Sequence, residues 1–296
     1  MEVIKEKGPC PGQIYRPNDD KSYPAIIFLH GSEGGNGDFW KYPGFNSEMT
    51  GENSFVSQFA KSFAEQGFVT YALSYFHSSQ EGDFECTVPS ELKDVDIEDI
   101  TYRAFSWLKK SKYVLDEKVG LFGVSRGAEQ ALLLASITSQ NEKLDSPSFI
   151  VALSPPDLVA TGFLKEYAEA TSRGEEPDWK ETNAWRFGDY IPKHSLPIEV
   201  DKIDSPTLIT YGALDEVWGK YVQPFNIVKR LRKFNISHEY LEFKNTDDVD
   251  KSFLLTTGQD KKHTIVNFLD EGHGGCEGTR SSELKKKLYN WLIQKT

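Results

Sequence analysis

From Pro24 onward, short apolar runs with strand character alternate with amphipathic helical segments. Such alternation builds parallel strands joined by crossover helices, so the expected class is α/β: a mostly parallel central sheet with helices on both faces. The first run is residues 25–29 (AIIFL). After a glycine-rich loop, Phe55, Phe59 and Phe63 recur at helical spacing over 55–66, and Gly67 closes that helix. Strand 68–73 (FVTYAL), a helix over 97–110, strand 118–122 (KVGLF) and an apolar helix over 128–137 continue the pattern. Buried strands are expected at 149–153 (FIVAL) and 207–211 (TLITY), then strand-like segments at 240–243 and 264–269 and a final amphipathic helix.

The alternation fails between 153 and 207. Residues 155–197 carry Phe163, Tyr167, Trp179, Trp185, Phe187 and Tyr190 among many charges, with Gly174 and Pro177 as breakers. Long insertions in compact domains usually serve function, so we read 155–197 as a helical cap over the carboxyl edge of the sheet. The alternative is a surface excursion that packs its aromatics on the body. The whole chain, 1–296, reads as one α/β domain.

Charge narrows the partners. A formal net charge of -11 leaves no basic field to neutralise a nucleic-acid backbone. The basic runs 229–233 and 285–287 are short and fall where helices end or expose a face. Cys10, Cys86 and Cys276 lie far apart without CxxC spacing, so neither a disulfide framework nor a zinc site is expected, and a reducing cytoplasm fits. The start, MEVIKEKGPC, lacks the apolar core of a signal peptide, and the longest apolar run, 131–135, is too short to span a bilayer.

The chemistry concentrates in VGLFGVSRGAE, residues 119–129. Here G-x-S-x-G follows a strand and opens a helix, a setting that turns the chain sharply and presents the Ser125 hydroxyl above the sheet edge. Side chains at Gly123 and Gly127 would collide across such a turn. The helix begins at Arg126 and turns its positive end toward the place where a substrate oxyanion forms. A second loop, 30–35 (HGSEGG), leaves the first strand at the same edge. With the Arg126 N–H, the N–H of Ser32, or alternatively Glu33, would complete a two-donor oxyanion hole.

Serine needs a base and an acid to orient it. His273, in LDEGHGG after the strand at 264–269, lies on a carboxyl-edge loop and is the expected base. His30 belongs to the oxyanion loop, whereas His77, His194, His238 and His263 are expected at the surface. Asp215, just past strand 207–211, is the expected acid, ahead of Glu216 and Asp157. Nucleophile, acid and base then follow in the order Ser125, Asp215, His273, as in α/β-hydrolases.

So assembled, the chain resembles an α/β-hydrolase. Within that superfamily it is similar to the catalytic domain of the acyl-CoA thioesterases and bile-acid-CoA:amino acid N-acyltransferases. The likeness lies in Ser125-Arg126-Gly127-Ala128-Glu129, in the Gly31-Ser32-x-Gly34-Gly35 loop and in Gly212-x-x-Asp215-x-x-Trp218. It implies a serine hydrolase of small-molecule acyl thioesters or esters without metal or organic cofactor, and it makes Glu33 and Trp218 candidate substrate contacts. Three features depart from that family. Its amino-terminal β-sandwich has no counterpart in residues 1–24, its transferase members carry cysteine where this chain has Ser125, and residues 244–262 match nothing in it. A single-domain build similar to dienelactone hydrolases is the competing resemblance. An acyltransferase, a peptidase and a ligand-binding protein on a hydrolase fold are the rival functions.

Overall fold

The computed structural model describes residues 1–32, 55–76, 82–178, 180–218, 224–244, 262–270 and 282–296. The strands are β1 (Val3–Glu6), β2 (Gly12–Pro17), β3 (Tyr23–Leu29), β4 (Val69–Leu73), β5 (Val95–Asp96), β6 (Val114–Val124), β7 (Ile150–Leu153), β8 (Trp185–Arg186), β9 (Thr207–Gly212), β10 (His238–Phe243) and β11 (His263–Phe268). The α-helices are α1 (Phe55–Ala64), α2 (Arg103–Lys109), α3 (Arg126–Ser139), α4 (Lys165–Ser172), α5 (Pro224–Lys233) and α6 (Ser282–Lys295). Among the described residues, no helix is long and apolar enough to cross a membrane.

The chain divides into two compact units, Met1–Val119 with Val159–Leu196, and Gly120–Leu158 with Pro197–Thr296. In the first unit the strands run β1-β2-β4-β3. The β1–β2 and β2–β4 pairs are antiparallel, and β3 lies parallel to β4 in register from Ala25↔Val69 to Leu29↔Leu73. Phe59 and Phe63 of α1 are buried as their spacing requires, and Gly67, at φ +99°, ends that turn in a conformation that favours glycine. The β1–β2 hairpin was not expected. Each strand holds only one short apolar pair, Val3-Ile4 and Ile14-Tyr15, among polar and charged residues, a pattern that an edge hairpin shares with a loop.

Two further differences from the sequence reading fall in this unit. Cys10 and Cys86 are joined by a disulfide, their Cα atoms 5.0 Å apart and 76 residues apart in sequence. No local spacing announces such a pair, because only the tertiary fold brings the two segments within bonding reach. The insertion is also not simply helical. Its β8 pairs in parallel with β5, Val95↔Trp185 and Asp96↔Arg186, and Leu92 bridges Phe163. Residues 92–97 are therefore tied to Phe163 and to residues 183–186.

The second unit is a fully parallel sheet ordered β6-β7-β9-β11-β10, with β6 entering it at Gly120. Strands β7, β9 and β11 are buried along their whole length, as both faces are covered, whereas the edge strand β10 (HEYLEF) is only partly buried. Helix α3 buries Leu132, Leu133 and Leu134, each worth about 2 kcal/mol of burial. The basic run at 229–233 ends α5, as expected. His263 departs from expectation: it is fully buried, because β11 lies between β9 and β10 rather than at an edge.

Candidate functional site

Strand β6 runs into α3 with a single residue between them, Ser125, whose backbone lies at φ 54°, ψ -115°. That conformation is strained for a residue with a side chain, and it persists because the surroundings over-determine it. The Ser125 N–H donates to Leu153 O at 2.8 Å, and its carbonyl accepts the first bond of α3 from the Glu129 N–H at 3.0 Å. Gly123 is required on the other side: a Cβ there would stand 2.2 Å from the Gly127 carbonyl oxygen. The expected collision across the turn is thus present for Gly123, against the Gly127 backbone. Arg126 opens the helix at its positive end.

The Arg126 side chain is neither a surface cation nor an open anion site. It is 5% exposed and its guanidinium donates to the fully buried Glu129 carboxylate at 3.0 Å. Burying both charges together meets the desolvation cost that either would suffer alone. The guanidinium also lies 5.1 Å from the Trp218 ring centre, within cation–π range.

Asp215 follows β9, buried to 9% exposure, while its neighbour Glu216 is exposed. Its Oδ1 accepts the N–H groups of Val217 at 3.0 Å and Trp218 at 3.1 Å, which fixes the carboxylate's direction. The Trp218 indole N–H donates to Ser154 O at 3.0 Å, at the end of β7, where Ser154 itself takes a positive φ of 48°. Ser125, Leu153, Ser154, Trp218 and Asp215 therefore form a hydrogen-bonded chain within the second unit, closed on one side by Arg126. Trp218, marked from the sequence as a substrate contact, spends its polar handle on this brace.

Asp157, the competing acid, is buried and accepts from Asn226 of α5 at 2.5 Å. Burial pushes its pKa up, and the hydrogen bond from Asn226 only partly offsets this. Its other oxygen, Oδ1, and the neighbouring Tyr211 hydroxyl have no hydrogen-bond partner among the described residues. Burial and the Asp157 charge push the Tyr211 pKa well up. Asp157 thus braces α5, whereas Asp215 is the carboxylate oriented by backbone donors.

Glu33 and His273 lie outside the described residues, and so does His77. Chain position still bears on His273: β11 ends at Phe268 and is described through Asp270, three residues before it. In the first unit, Gly31 is buried and Ser32 half-buried at the end of β3. His30 is 1% exposed, stacked on Tyr75 with ring centres 4.1 Å apart and planes 8° apart. The sequence places His30 in this loop and Trp185 among the aromatics of 155–197, but it gives no signal that Tyr75 lies between them, because that contact joins segments far apart in the chain. A groove of about 330 Å³ beside Glu98, Tyr102, Arg103 and Trp107 carries none of these residues.

Comparison with known proteins matches residues 53–296 to Peptidase_S9, the prolyl oligopeptidase family. The chain belongs to the prolyl oligopeptidase family. It has the α/β-hydrolase fold of serine-hydrolase type, shared by the esterases and peptidases of this superfamily. A curated relative, mouse acyl-coenzyme A thioesterase 6, is 24% identical over 220 residues, 73% of this chain and 46% of its own length. The chain thus spans about half of the curated relative it matches. Among solved structures, a truncated carbohydrate esterase from gut microbiota aligns with a TM-score of 0.57 at 15% identity, over 100% of this chain and 96% of its own. A candidate dienelactone hydrolase from Klebsiella pneumoniae aligns with a TM-score of 0.53 at 13% identity, over 99% and 98%. At these identities the structures share the fold and nothing narrower is drawn from them.

Proposed function

We propose that this member of the prolyl oligopeptidase family is a serine hydrolase that cleaves an acyl thioester or carboxylic ester, with an acyl-coenzyme A thioester as the leading substrate class. The observation that carries the reading is the Ser125 backbone, held at positive φ between β6 and α3 with Gly123 pressed against Gly127. In the proposed reaction His273 takes the Ser125 proton as the hydroxyl oxygen attacks the acyl carbon. Asp215 holds the His273 tautomer and stabilises its imidazolium. The N–H groups of Arg126 and Ser32, or of Glu33 in place of Ser32, receive the oxyanion. His273 then protonates the departing thiolate or alkoxide, and the acyl-Ser125 ester remains. Water, deprotonated by His273, attacks that ester; the bond from the acyl carbon to Ser125 Oγ breaks, His273 returns the proton to Oγ, and the carboxylic acid is released.

Residues 155–197 act in this reading as the cap of a single catalytic domain, its aromatics favouring an apolar acyl chain. The thioester preference is supported by the Ser-Arg-Gly-Ala-Glu run and by the mouse relative. Arg126 does not supply it as an anion contact, since Glu129 already neutralises its charge. The family match favours a second reading, peptide-bond cleavage by the same residues. The compartment follows the cysteines. The Cys10–Cys86 disulfide favours an oxidising compartment over the reducing cytoplasm that cysteine spacing alone suggested.

The test is a substrate panel of fatty acyl-coenzyme A, an aryl ester and a dipeptide anilide, each with the Ser125→Ala variant alongside. Hydrolysis of acyl-coenzyme A, lost in the variant, is expected. Turnover of the anilide alone would move the assignment to peptidase, and turnover of the aryl ester alone to carboxylesterase.

A further inference from the structure

The peptide that joins Gly31 to Ser32 is trans, so its C=O and N–H point in opposite directions. His30 Nδ1 lies 2.8 Å from Gly31 O. A carbonyl only accepts, so Nδ1 carries the proton. The other ring nitrogen, Nε2, faces the Tyr75 N–H at 3.5 Å, and an N–H only donates, which fits the same neutral tautomer. The Gly31 carbonyl is thereby drawn to the imidazole, and the Ser32 N–H is turned away from it.

The imidazole is itself held in place. Its face lies flat on Tyr75, and the Tyr75 hydroxyl donates to His30 O at 2.6 Å. Phe76 closes another side, with ring centres 5.1 Å apart. Behind Tyr75 stands Trp185, 5.6 Å away between ring centres and fully buried. Trp185 belongs to the insertion, where β8 pairs with β5. Its indole N–H has no hydrogen-bond partner among the described residues, a cost of about 1–3 kcal/mol that a purely apolar side chain would avoid. What Trp185 supplies at this place is a large ring packed against Tyr75 at a tilt of 46°.

We propose that Trp185, Tyr75 and His30 form a column through which the insertion sets the direction of the Ser32 N–H, and with it the strength of the oxyanion hole. All three are positioning residues, and none donates or takes a proton in the reaction. The inference rests on the proposed serine-hydrolase reading with Ser32 as an oxyanion donor. It adds that the insertion acts on the rate of the chemical step and not only on substrate fit. A donor aimed at the oxyanion is felt in the transition state, so its loss lowers kcat and leaves KM.

The experiment compares His30→Phe, Tyr75→Phe and Trp185→Leu with the parent chain, reading kcat, KM, thermal midpoint and affinity for an alkyl trifluoromethyl ketone. That ketone adds to the serine and places its own oxyanion in the hole. His30→Phe keeps a ring on Tyr75 and removes the bond to Gly31. It is expected to lower kcat by about 100-fold, with KM little changed and ketone affinity falling in step with kcat/KM. His30→Asn, which restores a donor, is expected to recover part of the loss. Tyr75→Phe and Trp185→Leu should show the same signature at about tenfold or less.

The proposal is overturned if folded His30→Phe and Trp185→Leu keep parental kcat, or if KM rises instead while ketone affinity holds. Should His30→Phe fail to fold, the other two variants decide by the same criteria. Failure of the serine-hydrolase reading is visible separately and first: the parent itself would then neither bind the ketone nor lose activity as Ser125→Ala.

Discussion

Among the described residues, two histidines are almost wholly hidden from solvent, one in each compact unit, and their surroundings are opposite. His30 has a flat aromatic neighbour, a carbonyl acceptor at one nitrogen and a backbone donor at the other. His263, at the amino end of β11, has no hydrogen-bond partner for either nitrogen among the described residues. Its pKa is pushed down to about 4 by burial first, then by Lys262 and His238, with Asp201 and Asp204 opposing. The difference teaches that burial alone does not mark a working residue. The partnered histidine stands at the carboxyl end of its strand, where chemistry is expected in α/β sheets. The unpartnered one stands at the opposite end of its strand and bears on stability.

The largest effect expected is on the unit that holds His30. Replacing Cys10 and Cys86 by serine frees a 76-residue loop and is expected to cost about 4 kcal/mol in urea denaturation. Dithiothreitol should reproduce that loss in the parent chain. No effect of either would mean that the two cysteines work as thiols.

Next comes the acid sensitivity of His263. Its folded pKa lies below the ordinary value, so the unfolded chain binds the proton more readily and protonation favours unfolding. Its contribution is complete above the unfolded pKa of about 6.5 and is lost as pH falls toward the folded value of about 4, roughly 3 kcal/mol in all. Denaturation curves across that range should lose their slope in His263→Leu. A variant as acid-sensitive as the parent would acquit this histidine. Activity at neutral pH should be unaltered in the same variant, in contrast to His30→Phe.

The smallest effect is at Trp218. Phenylalanine there keeps a ring over Arg126 and loses the bond to Ser154. We expect kcat/KM to fall about tenfold, the scale of one lost hydrogen bond of about 1.4 kcal/mol. Unchanged kinetics would detach Trp218 from the orientation of Asp215.

What the sequence made legible is local. Gly123, Ser125 and the helix after them are contiguous, so the elbow could be read from spacing, and its φ and the Gly123–Gly127 contact agree. Asp215 and Glu216 both follow β9, and of the two only Asp215 is buried. What escaped depends on partners far along the chain. Cys10 meets Cys86, Trp185 meets Tyr75, and Arg126 turns inward to Glu129 and Trp218. His263 was placed at the surface because strand starts usually are, and only the position of β11 between two neighbours buries it. Periodicity reports which face of an element is apolar, not which other element comes to cover it.

The central claim is that Ser125 is the nucleophile, and covalent labelling tests it most directly. The folded chain is treated with a fluorophosphonate, digested, and the adduct located by mass spectrometry. A single phosphonyl group on Ser125, absent in Ser125→Ala and formed far more slowly in Asp215→Asn, is the result predicted. An adduct on another residue, or labelling that survives Ser125→Ala unchanged, would contradict it.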